Sequence, residues 1–213
     1  MKKILVMLVF VIGMMLSWVG EIIAHDCPTG YTPMTINMLV GENDCPYVVE
    51  LCVKCSLTGY TASSVALVGF HPLTMSPACV PDMTYDEVAQ FIITFITHPD
   101  FYYTYVCTTY DAPPCPQQSV EIELFHYNCW KMELIEYFGE EIIKYSKCGD
   151  AYCYEKITWC YDANANEFNR TVVSGPTQVG TPGCTYDVWD PEIVTPTVVG
   201  GVSECFIYPT ACD

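Results

Sequence analysis

Basic residues are scarce in this chain. Its 213 residues hold 8 Lys and Arg against 25 Asp and Glu, a formal charge of −17 at pH 7. Such a surface repels phosphate, which argues against nucleic-acid binding and against polybasic docking on anionic lipid. Histidine is sparse as well, and His71, His98 and His126 show no helical metal-ligand spacing. No H-E-x-x-H, G-x-S-x-G, P-loop or G-x-G-x-x-G run occurs, so the enzyme classes those motifs mark are set aside. A triad can assemble from residues far apart in sequence, so catalysis as such is not excluded. No segment repeats at a fixed period.

Cysteine, by contrast, is abundant, and all of it follows an export-type start. Lys2 and Lys3 precede an apolar run from Ile4 to Val19, then Gly20, Glu21 and a stretch ending at Ala24. A charged start, an apolar middle and a small residue read as a secretory signal peptide over residues 1–24, cut after Ala24. The alternative is an uncleaved anchor, with the rest of the chain facing outward in either case. Behind this segment lie Cys27, Cys45, Cys52, Cys55, Cys79, Cys107, Cys115, Cys129, Cys148, Cys153, Cys160, Cys184, Cys205 and Cys212. An even count in an oxidising compartment predicts up to seven disulfides, with pairing that spacing alone leaves open. Residues 25–213 hold 24 Asp and Glu against 6 Lys and Arg, a net charge of −18. Their length suits one Cys-rich β domain. Asp111-Ala112-Pro113-Pro114-Cys115-Pro116 marks a sub-domain boundary candidate near 111–117. A cut after Cys115 leaves seven cysteines on each side, so one cross-linked unit is expected.

The pattern of apolar residues is mainly β. Met34, Ile36, Met38 and Val40 recur at period two with Thr35 and Asn37 between them, Gly41 to Asp44 is turn chemistry, and Tyr47, Val49, Leu51 and Val53 alternate again, which predicts a hairpin. Ser64 to Gly69, Phe101 to Tyr110, Val120 to Leu124, Ala151 to Tyr161, Glu167 to Val173 and Cys205 to Tyr208 are further strand candidates. Leu73 to Met83 and the Gly/Pro-dense stretch from Ser174 read as loop. Cys129 to Cys148 fits a helix or a hairpin. The hairpin, with Gly139–Glu140 as its turn, is preferred because strand-like segments surround it. One short amphipathic helix is expected over about 84–97. Thr84 and Glu87 form a capping box, and Val88, Phe91, Ile92 and Phe95 share a face expected to be buried.

Several clusters carry possible chemistry. Cys52-Val53-Lys54-Cys55 has redox spacing but ends a strand, where residues three apart face opposite ways, so each is expected to bridge elsewhere. Cys45, Cys52 and Cys55 would make three ligands of a zinc site, against which oxidation competes. Asp162, Asn164 and Asn166 begin like a calcium loop. Glu167 then stands in place of the turn glycine, and Val173 in place of the bidentate Glu. Asp187, Asp190 and Glu192 are a second oxygen cluster. Calcium is therefore the one cofactor considered, against plain polar turns. Read as a strand, Phe101, Tyr103 and Tyr105 share one face and Tyr102 lies on the other, and Tyr102, Tyr103 and Tyr105 suit stacking on sugars, anchoring a protein or filling a core. Asn169-Arg170-Thr171 is a glycosylation sequon. The sequence thus predicts an exported structural or binding module, for a protein or glycan, at a secreted, periplasmic or cell-surface location. The competing class is a secreted hydrolase whose site leaves no motif.

Overall fold

The computed structural model describes residues 27–41, 43–55, 63–74, 83–98, 101–102, 107, 114–116, 120–187, 193–207 and 212. The expected signal segment 1–24, Cys79, Tyr103, Tyr105, Asp190 and Glu192 lie outside them. The chain is mainly β, with β1 (Thr32–Val40), β2 (Cys45–Lys54), β3 (Ser63–Pro72), helix α1 (Tyr85–Ile96), β4 (Val120–Tyr127), β5 (Cys129–Tyr137), β6 (Glu140–Lys147), β7 (Tyr152–Asp162), β8 (Glu167–Val179), β9 (Tyr186–Asp187) and β10 (Phe206–Ile207).

All ten strands belong to one sheet that forks at β3. Residues Ser63–Leu67 of β3 run parallel to Ile122–His126 of β4, and Gly69 and Phe70 then pair antiparallel with Ser146 and Tyr145 of β6. On its other side β3 pairs with β2, and β2 with β1. From the fork one wing continues through β4, β7 and β8, and the other through β6, β5, β10 and β9. Gly69 sits at the fork for a steric reason: a Cβ there would collide with the carboxylate of Glu50.

Most elements follow their local chemistry. The β1–β2 hairpin forms as expected, but β2 is buried on both faces from Tyr47 to Val53, because β3 and the core enclose it. Cys129 to Cys148 is a hairpin. Its turn is Phe138–Gly139, one residue earlier than expected, and both residues take positive φ, at 50° and 83°, as a type I′ turn requires. β8 runs on through Gly175 and Pro176 to Val179. Among the described residues only β7 pairs with it, and an edge position tolerates a proline without an N–H. The strand expected over Phe101 to Tyr110 does not begin as one: Phe101 and Tyr102 form a helical turn, where Tyr102 N–H donates to His98 O at 2.8 Å.

In α1 the capping box is present, with Thr84 N–H donating to Glu87 Oε2 at 2.6 Å and Glu87 N–H to Thr84 Oγ1 at 3.3 Å. The buried face is Val88, Ala89, Ile92, Ile93 and Ile96. Phe91 is half-buried and Phe95 is 38 % exposed, so the expected face is rotated by about one residue. The two phenylalanines stack on each other at its rim, 6.4 Å apart.

Among the described residues six disulfides staple this fold: Cys27–Cys52, Cys55–Cys107, Cys115–Cys160, Cys129–Cys184, Cys148–Cys205 and Cys153–Cys212. Cys52 and Cys55 each bond elsewhere, as strand geometry demands. That removes both from the zinc set. Cys45 is buried at the start of β2.

Candidate functional site

Along β4 the inward residues are Val120, Ile122, Leu124 and His126, and the outward ones are Glu121, Glu123 and Phe125. Directly opposed residues on neighbouring strands share a face. The register therefore places Tyr154 beside Phe125, Lys156 beside Glu123, Tyr152 beside Tyr127 and, from β3, Ser64 beside Glu123. The N-terminal segment, tied to β2 by Cys27–Cys52, lays Tyr31 over the same face.

These residues form one patch. The Phe125 ring lies 6.2 Å from Tyr31, 5.1 Å from Tyr152 and 5.6 Å from Tyr154. All four rings are half-buried. Next to them the Glu123 carboxylate accepts from Ser64 Oγ at 3.1 Å and from the Tyr154 hydroxyl at 3.1 Å. Lys156 Nζ donates to Glu121 Oε2 at 3.0 Å, with side chains 25 % and 40 % exposed. At the end of the row Tyr127 is buried, and Lys147 Nζ sits over its ring at 4.5 Å.

The electrostatics of the patch keep its hydroxyls protonated. Burial raises the Tyr31 and Tyr154 phenols above their ordinary range, and the hydrogen bond to Glu123 adds to the rise at Tyr154. Burial, with the charge of Asp150, pushes Tyr127 up to about 12. The hydrogen bond to Glu121 raises Lys156. At neutral pH the face thus offers aromatic rings, hydroxyl donors, two carboxylates and an ammonium.

A second polar cluster is internal. Lys144 Nζ and Glu50 Oε1 form an ion pair at 2.7 Å, with side chains 5 % and 4 % exposed. His71 is buried near them, its ring edge against Tyr137 at 4.9 Å, and burial lowers its pKa. A histidine and a carboxylate do converge here, as a hydrolase would need, but these side chains are enclosed rather than presented to a substrate.

Of the oxygen clusters singled out from sequence, Asp162, Asn164, Asn166 and Asp187 lie among the described residues. Asp162 Oδ1 accepts from the N–H groups of Asn164 at 2.8 Å and Ala165 at 3.3 Å, and Asn166 Oδ1 accepts from the Tyr161 hydroxyl at 2.7 Å. These oxygens serve the β7–β8 turn. Asp187 lies in β9, a separate strand at the far edge of the sheet. Among the described residues no three His, Cys, Asp or Glu side chains gather as a metal site. Tyr102 is fully buried and donates its hydroxyl to the disulfide sulfur Cys107 Sγ at 3.2 Å, so it fills core. Asn169 of the sequon is exposed on β8. The outward row itself was missed, although continuing the Glu121–Glu123 alternation by one step reaches Phe125. No helix among the described residues is long and apolar enough to cross a membrane. No family model, curated protein or solved structure matches the chain.

Proposed function

We propose that the protein is an exported binding module, secreted, periplasmic or held at the cell surface, that takes glycans on the outer face of β4 and β7. The observation that carries this reading is the patch of half-exposed Tyr31, Phe125, Tyr152 and Tyr154 around the hydrogen-bonded Glu123. Aromatic rings offer apolar surface to the C–H face of a sugar, and fixed carboxylates accept its hydroxyls. Ser64 and Tyr154 hold Glu123 in place before any ligand arrives, which lowers the cost of ordering it. The charge of −17 favours neutral glycans over sulfated or uronate chains. Export is supported by the Lys2–Lys3 start with its apolar run. It is also supported by six disulfides, which persist in oxidising compartments.

Affinity electrophoresis tests the reading, in native gels cast with a neutral glucan, xylan or mannan and, for contrast, polygalacturonate. The expected result is retardation in at least one neutral gel. Tyr154→Ala or Glu121→Ala should weaken it about tenfold, which is about 1.4 kcal/mol. No retardation in any gel, or retardation untouched by both substitutions, overturns it.

A further inference from the structure

None of the six described bridges joins residues 27–107 to residues 115–212. Two lie within the first stretch and four within the second. Cys115 bonds Cys160, so it belongs with the second stretch. Each half is stapled to itself, and between the described residues of the two halves every contact is non-covalent. Their backbone pairing is at β3, while Tyr31 against Phe125 and His98, beyond α1, against Trp159 and Phe168 pack across the same boundary. Ser63–Leu67 pair with Ile122–His126 of β4, and only Gly69 and Phe70 pair with β6. The Glu50–Lys144 ion pair and the Phe70–Tyr145 stack, at 5.3 Å, also cross this seam.

Two buried histidines bracket the fork. His126 of β4 stands opposite Leu67, and His71 follows Phe70 directly on β3. His71 Nε2 and both ring nitrogens of His126 are buried without a hydrogen-bond partner. Burial opposes a charge on both rings, although at His71 the Pro72 carbonyl, 2.8 Å from Nδ1, and Glu50 favour one. Around His71 stand Glu50 of β2, already held by Lys144 of β6, and the ring of Tyr137 on β5. His126 feels Arg170 of β8, which pairs with Glu155 of β7 at 3.1 Å.

We propose that this seam is an acid-released joint: below the ordinary histidine range β3 parts from β4 and β6, while each disulfide-stapled half keeps its own fold. In the closed state burial holds both imidazoles toward the neutral form, against the pull of the Pro72 carbonyl and Glu50 at His71 and with no acceptor at either ring nitrogen of His126. Parting the strands lets water and a proton reach them. An open state that binds one more proton than the closed state gains about tenfold in population per pH unit below about 6.5, for each histidine. For His126 the effect runs down to its closed-state pKa of about 4. Over two pH units His126 alone can raise opening by about a hundredfold, and His71 acts in the same direction.

Hydrogen–deuterium exchange of the full chain, disulfides intact, at pH 7.5 and 4.5 tests the proposal, with rates corrected for intrinsic exchange. The expected result is a loss of protection of about a hundredfold or more at residues 63–70, 122–126 and 145–146. The β1–β2 hairpin and the turn-proximal β5–β6 pairs, each inside one half, keep theirs. His126→Leu should lower the pH dependence of seam opening by about tenfold per unit. If that variant does not fold, the wild-type contrast between seam and hairpins still decides. Equal loss everywhere, no loss at the seam, or an unchanged slope in a folded His126→Leu protein overturns the proposal.

Discussion

Lys144→Met should unfold the protein well below its normal melting temperature, and the reason is the partner it abandons. Glu50 and Lys144 lie on different halves of the chain, 2.7 Å apart, with side chains only 4 % and 5 % exposed. The Glu50 carboxylate also fills the space that a Gly69 side chain would take, so it has little room to swing outward. Removing the cation leaves a buried carboxylate uncompensated, which costs about 3–5 kcal/mol. In a chain of this size each kcal/mol lowers Tm by about 2–4 °C, so the loss is about 6–20 °C. Replacing both members, as Glu50→Leu with Lys144→Met, removes the stranded charge and should recover most of that loss. Thermal melts by far-UV circular dichroism, non-reducing at pH 7.5, read all four corners of the cycle. A single Lys144→Met melting within two degrees of wild type would refute the reasoning. So would a double variant as unstable as the single one.

Other outcomes follow from packing and burial. Ile92→Ala, in the fully buried face of α1, should cost about 2–5 kcal/mol in denaturant melts, whereas Phe95→Ala at the exposed rim should cost under about 1.5 kcal/mol. The reverse order would put the helix face where the sequence first suggested. Tyr127 should ionise only near pH 12, about two units above its unfolded value. A raised acid favours the folded state below pH 10, and that advantage fades as pH climbs from 10 to 12. An absorbance titration at about 295 nm, compared with Tyr127→Phe, isolates this phenol. Gly69→Ala should destabilise by about 1–3 kcal/mol, because its Cβ meets Glu50. A neutral result in melts would mean that the fork has room to spare.

Much of the fold was legible where chemistry is local. The alternation in β1 and β4, the capping box at Thr84 and Glu87, and the Asp162–Asn166 turn each act within a few residues, and each appears in the structure. Local rules failed where tertiary context decided. Phe101 and Tyr102 are good strand formers, yet Tyr102 is drawn into a buried turn beyond α1. Gly175 and Pro176 look like loop, yet an edge strand carries them, because only one side of it must donate hydrogen bonds. The candidate face was least legible. Tyr31, Ser64, Glu123 and Tyr154 come from four separate stretches of chain, and only the parallel β3–β4 pairing with its β7 neighbour sets them side by side. The Phe101–Tyr105 run, by contrast, is visible in the sequence because its aromatics are neighbours in the chain. On a strand, residues two apart share a face and adjacent ones do not.

The central claim is the proposed exported, disulfide-stapled module with a glycan-binding β4–β7 face, and its disulfides are the frame of each half that contributes to that face. A mass-spectrometric disulfide map of the protein recovered from the medium or periplasm, digested without reduction, tests it most directly. The account predicts a chain starting at His25 and peptides linked as Cys27–Cys52, Cys55–Cys107, Cys115–Cys160, Cys129–Cys184, Cys148–Cys205 and Cys153–Cys212, with no link between the two halves. Free thiols at these positions, or a protein found only in the cytoplasm with its first 24 residues intact, would contradict it.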